Sequence, residues 1–533
     1  MMWFSTDVLV VGSGAAGLRA AIEVREQGLE ALVVSKAPAG YNNCTIMAGA
    51  GFLAAVGGMT PEEHVRRTLG VGKGLNHPGL VEVLAAEGGE RVLELERFGC
   101  VVNVGEGGVH VGGPGDRLGQ GITLPMVRFL RGLGGEFLEN TILTRLVTHG
   151  GRVVGALGYN SQSDEAVAVQ AGSVVLASGG AGALYSRTDC PLRTTGDGYA
   201  LAVDAGARLR DMEFSQFFPL ALAEPGAPSL LVDGRVVWEG KIINTLGEDI
   251  PAKHGVTERP YIAKSRDLLS RAMMLEVLDG LGVEGAVLLD AREVARQGGP
   301  GERYGMVSWE YFKELGGLER TIRIAPLSHF TMGGVVADAG GATGVPGLYV
   351  AGEAMGGVHG ANRHGGNALT EAVVFAVRAA RSACRDARSG QLEGFEEEAE
   401  AEEERLRALT QSETGYTPAT LMGLLRETMW EKAGVVRTSQ SLVEAYQKIQ
   451  EIRHSARRLL AKPGRQLMDA LELQMALQVA EFMVRAAMAR RESRGAHYRR
   501  DYPGEDPAWA KTLVLSKEGE AVRVEEAPID LTP

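Results

Sequence analysis

The pattern of apolar and polar positions at the start of the chain predicts a strand, a turn and a helix. Residues 8–11 form an apolar run typical of a buried parallel strand, and the glycine turn at 12–17 follows directly. An alanine-rich stretch then predicts a helix to about Gln27, followed by a second strand at 31–35. Glycines spaced in this way let a pyrophosphate rest on the helix N-terminus. The pattern therefore predicts a dinucleotide site, although the second strand ends in Ser35-Lys36 and not in the usual acidic ribose ligand.

The alternation of strand-like and helix-like segments continues along the chain with one interruption. Residues 219–330 are mixed and polar, and we interpret them as an inserted cap domain. The cofactor pattern resumes near Gly333, and from about residue 395 the spacing becomes helical. Predicted strands lie at 141–147, 152–158 and 173–177, and predicted helices at 418–432, 438–460 and 466–491. Side chains expected in the core of the helical region are Leu421, Leu424, Leu425 and Met429.

A second glycine cluster, at 352–369, lies some 340 residues after the first. It carries a carboxylate, two histidines and an arginine among its glycines. Glycine this dense lets the backbone approach a bulky ligand closely. We therefore expect two distant parts of the chain to fold around one large cofactor, with the arginine and histidines as candidates for substrate chemistry.

Composition and charge narrow the class of protein. The chain of 533 residues is 45% hydrophobic and 23% charged, which is typical of a soluble protein of several domains. Its net charge of −12 disfavours nucleic acid as a partner. The four cysteines are scattered without a CxxC motif, so neither zinc, nor an iron–sulfur cluster, nor a disulfide framework is expected within the chain. No apolar run approaches the ~20 residues needed for direct membrane insertion.

Several motifs together carry a resemblance to a known family. They are VVGSGAAGLRAA (10–21), MEFSQFFP (212–219), LLSRAMMLEV (268–277), HFTMGG (329–334), VPGLYVAGEAMGGVHGANRHGGNAL (345–369), LRETMWEKAGVVRT (425–438) and ESRGAHYRRDYP (492–503). The chain resembles the flavoprotein subunit of succinate dehydrogenase and fumarate reductase, a family that includes L-aspartate oxidase. The resemblance covers nearly the whole chain, and Ser35-Lys36 is the usual pattern within this family.

The resemblance implies FAD as cofactor and an α/β fold. That fold is a Rossmann-like FAD-binding domain with an inserted α+β cap domain and a C-terminal helical bundle. The implied boundaries are 1–218 and 333–395 for the FAD-binding domain, 219–332 for the cap, 396–491 for the helical domain and 492–533 for a C-terminal tail. On local evidence, Asp197 is either a ribose ligand or a helix cap. The residues implied to hold the cofactor are Gly12, Gly14, Ala15, Ala16, Gly17, Ser35, Lys36, Cys44, Thr45, Gly49, Gly51, Ala177, Ser178, Gly179, Asp197, Glu353, Asn367, Ala368 and Leu369.

The family's reaction is hydride transfer between flavin N5 and a carbon next to a carboxylate, with proton transfer at the neighbouring carbon. The resemblance implies that Arg363 and His329 hold that carboxylate and that Arg271 delivers the proton. The chemistry suits these groups, since a guanidinium can bind a carboxylate through two hydrogen bonds. Asp233 stands where the family has the glutamate of its proton relay.

The chain departs from the family pattern at the second carboxylate site. Phe218 stands in place of a histidine and Val232 in place of a threonine, so both groups that would bind a second carboxylate are apolar. Val236 replaces the relay arginine, while Arg235 lies one position earlier and is a candidate to substitute for it. A dicarboxylate would lose charge-assisted hydrogen bonds worth ~1.5–3 kcal/mol each. We therefore expect fumarate and succinate to be poor substrates, and an acid with an apolar far end to be a good one.

The attachment of the flavin and its electron partner are also predicted. Cys44 stands where succinate dehydrogenases carry the histidine that bonds to FAD, so non-covalent FAD is expected. Because the chain has no cluster ligands of its own, an iron–sulfur electron-transfer subunit is the expected partner. The location is then either cytoplasmic or on the inner face of the membrane through such a partner. Three alternatives stay open: an ordinary fumarate reductase or succinate dehydrogenase subunit, an aspartate-oxidase-like enzyme reoxidised by oxygen, and a flavoprotein without catalysis.

Overall fold

The computed structural model describes residues 1–113, 116, 119–232, 235–259, 261, 265–297, 309–387, 395–412, 414–519 and 521–533. Among these residues, seven strands form a sheet around Met2–Val11, which pairs in parallel with Ala31–Val34 on one side and with Glu165–Leu176 on the other. The predicted apolar runs are the buried centres of these strands. Across the sheet the order is Glu136–Leu138, Ala31–Val34, Met2–Val11, Glu165–Leu176, Arg152–Asn160 and Thr141–His149, and Leu348–Val350 pairs with Glu165–Leu176.

Two helices from distant parts of the chain pack together over this sheet. Ala15–Glu26 follows the first strand, and Asn367–Ala387 follows the second glycine cluster. An ion pair of 2.7 Å between Arg381 and Glu23 joins them. The packing of these two helices brings the two glycine clusters to the carboxyl ends of the parallel strands, where ligands of such sheets bind. The other helices of this part are Cys44–Met47, Pro61–Val71, Pro78–Leu93, Gln120–Gly132 and Asp197–Asp204, and a small sheet joins Gly51–Leu53, Val102–Gly105 and Gly108–Val111.

The cap is an antiparallel sheet with its own apolar core. Strands Ser215–Leu222 and Ile322–Thr331 connect it to the FAD-binding part, and Lys241–Ile243 and Val287–Asp290 complete it. Helix Arg266–Leu278 packs on this sheet with Leu269 and Met273 fully buried. The shorter helices of the cap are Arg235–Trp238, Ile250–Lys253, Arg292–Arg296 and Trp309–Glu314.

The C-terminal part begins with helices, as the spacing predicts. They are Glu396–Leu409, Pro418–Ala433, Ser439–Ser455 and Arg465–Ala489. Leu421, Leu425 and Met429 are buried, whereas Leu424 is 37% exposed and lies at the edge of the apolar face. The predicted α/β fold with a helical C-terminal region is confirmed.

The segment expected as a tail, 492–533, contains two strands. Thr512–Glu518 pairs with Ala521–Ala527 and with Leu209–Arg210 of the FAD-binding part. Leu513 and Leu515 of the first strand are buried, so the segment is packed onto the fold. Gly334–Val335 completes this sheet.

Candidate active site

A cavity of about 640 Å³ lies at the carboxyl ends of the parallel strands and extends to the cap. The first glycine turn and the end of the second strand form one end of it, and the segment 41–51 covers it. The second glycine cluster and the cap residues Phe218, Arg266 and His329 form the other end. The cavity therefore joins both glycine clusters, as the sequence predicts, and brings them to the cap.

Close backbone packing explains two glycines of the first turn. A Cβ on Gly17 would lie 1.9 Å from the carbonyl oxygen of Gly12, and a Cβ on Gly12, whose φ is +111°, would lie 2.3 Å from the oxygen of Ala177. The helix that begins at Ala15 has no acidic residue in its first turn, so its N-terminus suits an anion. Thr45 accepts a hydrogen bond of 3.0 Å from the Ala15 amide and holds segment 41–51 over the turn.

Buried charges are paired at the end of the cavity next to the second strand. Lys36 donates to Asp197 at 2.9 Å and to Glu472 at 2.7 Å. Burial alone would lower the pKa of Lys36, but these two carboxylates outweigh it and raise the pKa. Arg193 pairs with Glu472 and with Asp469. Asp197 is thus the first residue of its helix, lines the cavity and accepts a hydrogen bond from Lys36. A carboxylate in this position is suited to bind a ribose hydroxyl.

The cavity is open beside two glycines of segment 41–51. Gly49 and Gly51 line it, and a Cβ on either would meet nothing within 4 Å. Glu353 also lines the cavity and accepts a hydrogen bond of 3.0 Å from the Thr331 amide. Burial raises the pKa of Glu353 to about 7. The Ser178 hydroxyl is buried without a hydrogen-bond partner in the described chain, which leaves it for a ligand. These observations fit FAD.

All but two of the predicted cofactor residues line the cavity. Gly17 does not, because it lies beneath the turn against Gly12. Asn367 does not either, because its Oδ1 atom accepts a hydrogen bond from Nε2 of His64 at 2.8 Å and its Nδ2 atom donates to Oγ1 of Thr68 at 2.9 Å. Its role in this structure is to join helix Pro61–Val71 to the second glycine cluster.

Two guanidinium groups meet at the cap end of the cavity. The Oε1 atom of Gln216 accepts a hydrogen bond from Nη1 of Arg266 at 2.8 Å and from Nε of Arg363 at 3.1 Å. Arg363 also lies over the ring of Phe330, 4.7 Å from its centroid. Burial lowers the pKa of Arg363 to about 10, so the group stays charged at neutral pH. This pair of cations can bind and polarise a carboxylate.

His329 lies beside the two arginines and is bonded to a carboxylate. Its Nδ1 atom is 2.7 Å from Oδ2 of Asp189. Burial lowers the pKa of His329, and the positive charges of Arg363 and Arg266 add to this, against the opposing effect of Asp189. The ring of Phe218 packs at 5.5 Å from that of His329, and the Arg266 guanidinium lies 5.3 Å from the Phe218 centroid. Phe218 therefore forms an apolar wall between a histidine and an arginine.

Three of the predicted substrate residues lie elsewhere or cannot be placed. Arg271 does not line the cavity; it stacks on Tyr498 at 4.7 Å, outside it. Val232 is buried in the apolar core of the cap, and Leu231 is the neighbour that lines the cavity. Asp233 lies outside the described residues. The structure thus brings together Phe218, His329 and Arg363 at the cavity, whereas Arg271 and Val232 do not line it.

Sequence reasoning missed Arg266, Gln216 and Asp189. A signal existed for Arg266, since it begins the same helix as Arg271 and five residues of helix turn the side chain by about 140°. Only one of the two can therefore face the cavity. Gln216 lies within the MEFSQFFP motif, two positions before Phe218, so both point to the same face of the strand. Nothing in the sequence around Asp189 indicates its contact with His329, which lies 140 residues away.

Comparison with known families agrees with this geometry. A model of the FAD binding domain matches residues 7–369, and a model of the fumarate reductase flavoprotein C-terminal region matches residues 423–533. The chain belongs to the fumarate reductase and succinate dehydrogenase flavoprotein family. It is an FAD-dependent oxidoreductase, as predicted.

Two relatives show the range of activities in this flavoprotein family. One of the subunits of fumarate reductase (CoM/CoB) from Methanothermobacter marburgensis is 35% identical, with 97% of this chain and 98% of the relative covered. L-aspartate oxidase of Streptomyces coelicolor is 33% identical, with 96% and 91% covered. Sequence similarity alone therefore leaves the substrate of this flavoprotein open.

Solved structures of the family superpose over almost the whole chain. Mycobacterium smegmatis Sdh1 in complex with UQ1 has a TM-score of 0.87 at 31% identity, covering 99% of this chain and 95% of that one. A quinol-fumarate reductase with menaquinol molecules has a TM-score of 0.89 at 26% identity, covering 100% and 99%. Within the described residues of this flavoprotein, no helix is long and apolar enough to cross a membrane.

Proposed function

We propose that this flavoprotein acts on the carbon–carbon bond next to a single carboxylate, in an acid whose far end is apolar. FAD would supply hydride transfer, and the residues of the chain would bind the acid and move the proton. The observation that carries the proposal is the position of Phe218, which is 6% exposed and forms the cavity wall between His329 and Arg266. A carboxylate placed against this ring would lose its hydration without gaining a hydrogen bond there.

The bound carboxylate would be held by Arg363, with His329 beside it. Because Nδ1 of His329 is engaged by Asp189, Nε2 is the nitrogen available to a ligand. Donation from Nε2 to a carboxylate requires the imidazolium form, whose pKa burial lowers. Binding should therefore take up a proton, and affinity for the acid should increase as pH falls.

Arg266 is the group we propose for proton transfer. Its helix begins at the cavity with Arg266, and Gln216 fixes the guanidinium through a 2.8 Å hydrogen bond. Arg363 is bonded to the same Gln216 oxygen at 3.1 Å, so the proton donor and the carboxylate clamp are held in one arrangement. Arg271, on the opposite side of the helix, would hold the cap against Tyr498.

Non-covalent FAD and an electron-transfer partner are further parts of the proposal. Cys44 lines the cavity, and its Sγ atom lies 3.8 Å from Oγ1 of Thr194. For the partner we propose an iron–sulfur subunit, which several relatives support because they are named as subunits. In the part of the chain that the structure describes, no group of three or more His, Cys, Asp or Glu side chains is arranged to hold a metal.

A second candidate is an oxidase in which oxygen reoxidises the flavin. The 33% identity to an L-aspartate oxidase over 96% of this chain favours it. The two candidates differ in their oxidant, so one experiment separates them. Peroxide release in air at the rate of substrate turnover would favour the oxidase.

The deciding experiment is anaerobic reoxidation of the chemically reduced flavin by fumarate and by 2-enoic acids with apolar tails. We expect the apolar acids to reoxidise the flavin at least tenfold faster than fumarate. Phe218→His should shift the preference toward fumarate, whereas the control Phe218→Leu should keep it. Equal rates with fumarate and an apolar acid in the wild type would refute the proposal.

A further inference from the structure

The cap end of the cavity contains a carboxylate that the proposed reaction does not use. Asp189 lines the cavity, and its side chain is 12% exposed. It faces His329 at 2.7 Å, and both arginines lie close enough to affect the same histidine. A carboxylate in a site that binds an acid repels the negative charge of the substrate, so its presence there requires an explanation.

The loop that carries Asp189 is fixed against the cap sheet. Its backbone amide donates to the Ser328 oxygen at 3.3 Å, and the Ser328 amide donates to the Arg187 oxygen at 2.9 Å. Thr188 adds a side-chain hydrogen bond of 3.0 Å to the Ser328 oxygen. Cys190 donates through sulfur to the His329 oxygen at 3.6 Å. The negative charge is therefore held at a set position beside His329.

The charges at the cap end of the cavity favour a substrate with one carboxylate over a substrate with two. Arg266 and Arg363 supply two positive charges, and Asp189 supplies one negative charge. The other charged groups that line the described cavity are Glu353, whose pKa is about 7, and a cluster at the opposite end in which Lys36 and Arg193 are paired with carboxylates. Before the acid binds, with His329 neutral, the two arginines and Asp189 carry a net charge of +1, which one carboxylate balances. The proton that His329 would take up on binding adds a positive charge, and the partly ionised Glu353 offsets part of it.

We propose that Asp189 is a specificity-determining residue, whose fixed negative charge offsets one arginine and rejects a second carboxylate on the substrate. The proposal rests on the proposed function, since it concerns the same acid-binding site. It adds a repulsive element to the apolar wall at Phe218, and rejection by like charge is a common source of specificity. Like charges in a buried site interact over several ångströms because screening there is weak.

The test is calorimetric binding of butyrate and succinate, which share a four-carbon chain, to the FAD-loaded enzyme. We expect Asp189→Asn to raise the affinity for succinate relative to butyrate at least tenfold. Asp189→Glu keeps the charge and should keep the wild-type ratio. Asp204→Asn, which removes an exposed carboxylate paired with Lys517, is the matched control and should also leave the ratio unchanged.

A pH series separates a charge effect from a merely structural one. Asp189 raises the pKa of His329, so Asp189→Asn should move the pH dependence of butyrate binding to lower pH. Arg266, Arg363 and Asp189 are the charged groups that set this pKa, and the first two are unchanged in the variant. If Asp189→Asn loses FAD, Asp189→Ser serves as a second neutral variant.

The outcomes separate this proposal from the proposed function. An unchanged succinate-to-butyrate ratio in the neutral variants, or no binding of succinate to them, would overturn the role of Asp189. Fast turnover of fumarate by the wild type would overturn the proposed function, and it is measured independently of these affinities. A higher ratio with an unshifted pH profile would also count against the proposal, because the charge would then not act on His329.

Discussion

Replacing Arg266 tests which arginine of the cap helix serves the reaction. Arg266→Ala removes the guanidinium that Gln216 holds in the cavity. A positioned proton donor contributes typically 10²–10⁴-fold to a rate, which corresponds to about 2.7–5.4 kcal/mol of activation free energy. We expect a loss of that size in the reoxidation rate, with flavin content unchanged because FAD would be held mainly by the glycine turn and segment 41–51.

Arg271→Ala is the matched control in the same helix. Arg271 lies outside the cavity and stacks on Tyr498 at 4.7 Å. A cation–π contact of this kind contributes about 0.5–1 kcal/mol, so the variant should be slightly less stable. Its reoxidation rate should change by less than about fivefold, since this is the factor to which 1 kcal/mol corresponds.

The assay is anaerobic stopped-flow reoxidation of the reduced flavin by the best acid of the panel. Arg266→Lys keeps the charge but not the planar group, and it should recover only part of the rate. A loss in Arg271→Ala that equals or exceeds the loss in Arg266→Ala would refute the assignment of the proton donor to Arg266.

Three further predictions concern the cofactor. Gly17→Ala should lower FAD affinity at least tenfold in equilibrium dialysis, since its Cβ would meet the Gly12 oxygen at 1.9 Å, whereas Gly70→Ala, with nothing within 4 Å, should not. Cys44→Ser should release as much flavin on acid precipitation as the wild type; flavin retained only by the wild type would indicate a thioether. Glu353, with a pKa of about 7, is neutral below and charged above that pH, and its negative charge disfavours flavin reduction. Between pH 6 and 8 the reduction potential of the wild-type flavin should therefore fall more steeply with pH than that of Glu353→Gln, by up to about 30 mV per pH unit. Equal slopes in the two proteins would contradict this effect of Glu353.

The cofactor end of the site was predictable from sequence because its chemistry is local. A strand, a glycine turn and a helix follow one another within 30 residues, and the spacing alone indicates how the backbone must run. Gly17 needs no knowledge of the rest of the chain, since it packs against the Gly12 oxygen of the same turn, whereas Gly12 packs against the distant Ala177. The departures at Phe218 and Cys44 were equally visible, because they lie within motifs, and the structure places both side chains on the cavity.

The cap end was less predictable because its contacts join distant segments. Asp189 reaches His329 across 140 residues, and Gln216 reaches Arg363 across 147. No local pattern records such contacts, since they depend on how the cap sheet lies against the loop and the second glycine cluster. Val232 illustrates the same limit: its apolar character is visible in the sequence, but its direction, into the cap core, is set by the pairing of its amide with the Leu220 oxygen.

The cap helix shows why the sequence alone does not decide whether Arg266 or Arg271 faces the cavity. Arg266 and Arg271 belong to one segment, and only the rotation of the helix about its axis decides which of them faces the cavity. That rotation is fixed by Leu269 and Met273, which pack into the cap core. With these two side chains inward, Arg266 lies at the end of the helix next to Gln216, and Arg271 is turned toward Tyr498 of the C-terminal segment. The helix thus joins the cavity to the segment 492–533 through its two arginines. Substitution of Arg266 should therefore lower the reaction rate, and substitution of Arg271 should lower the stability of the cap.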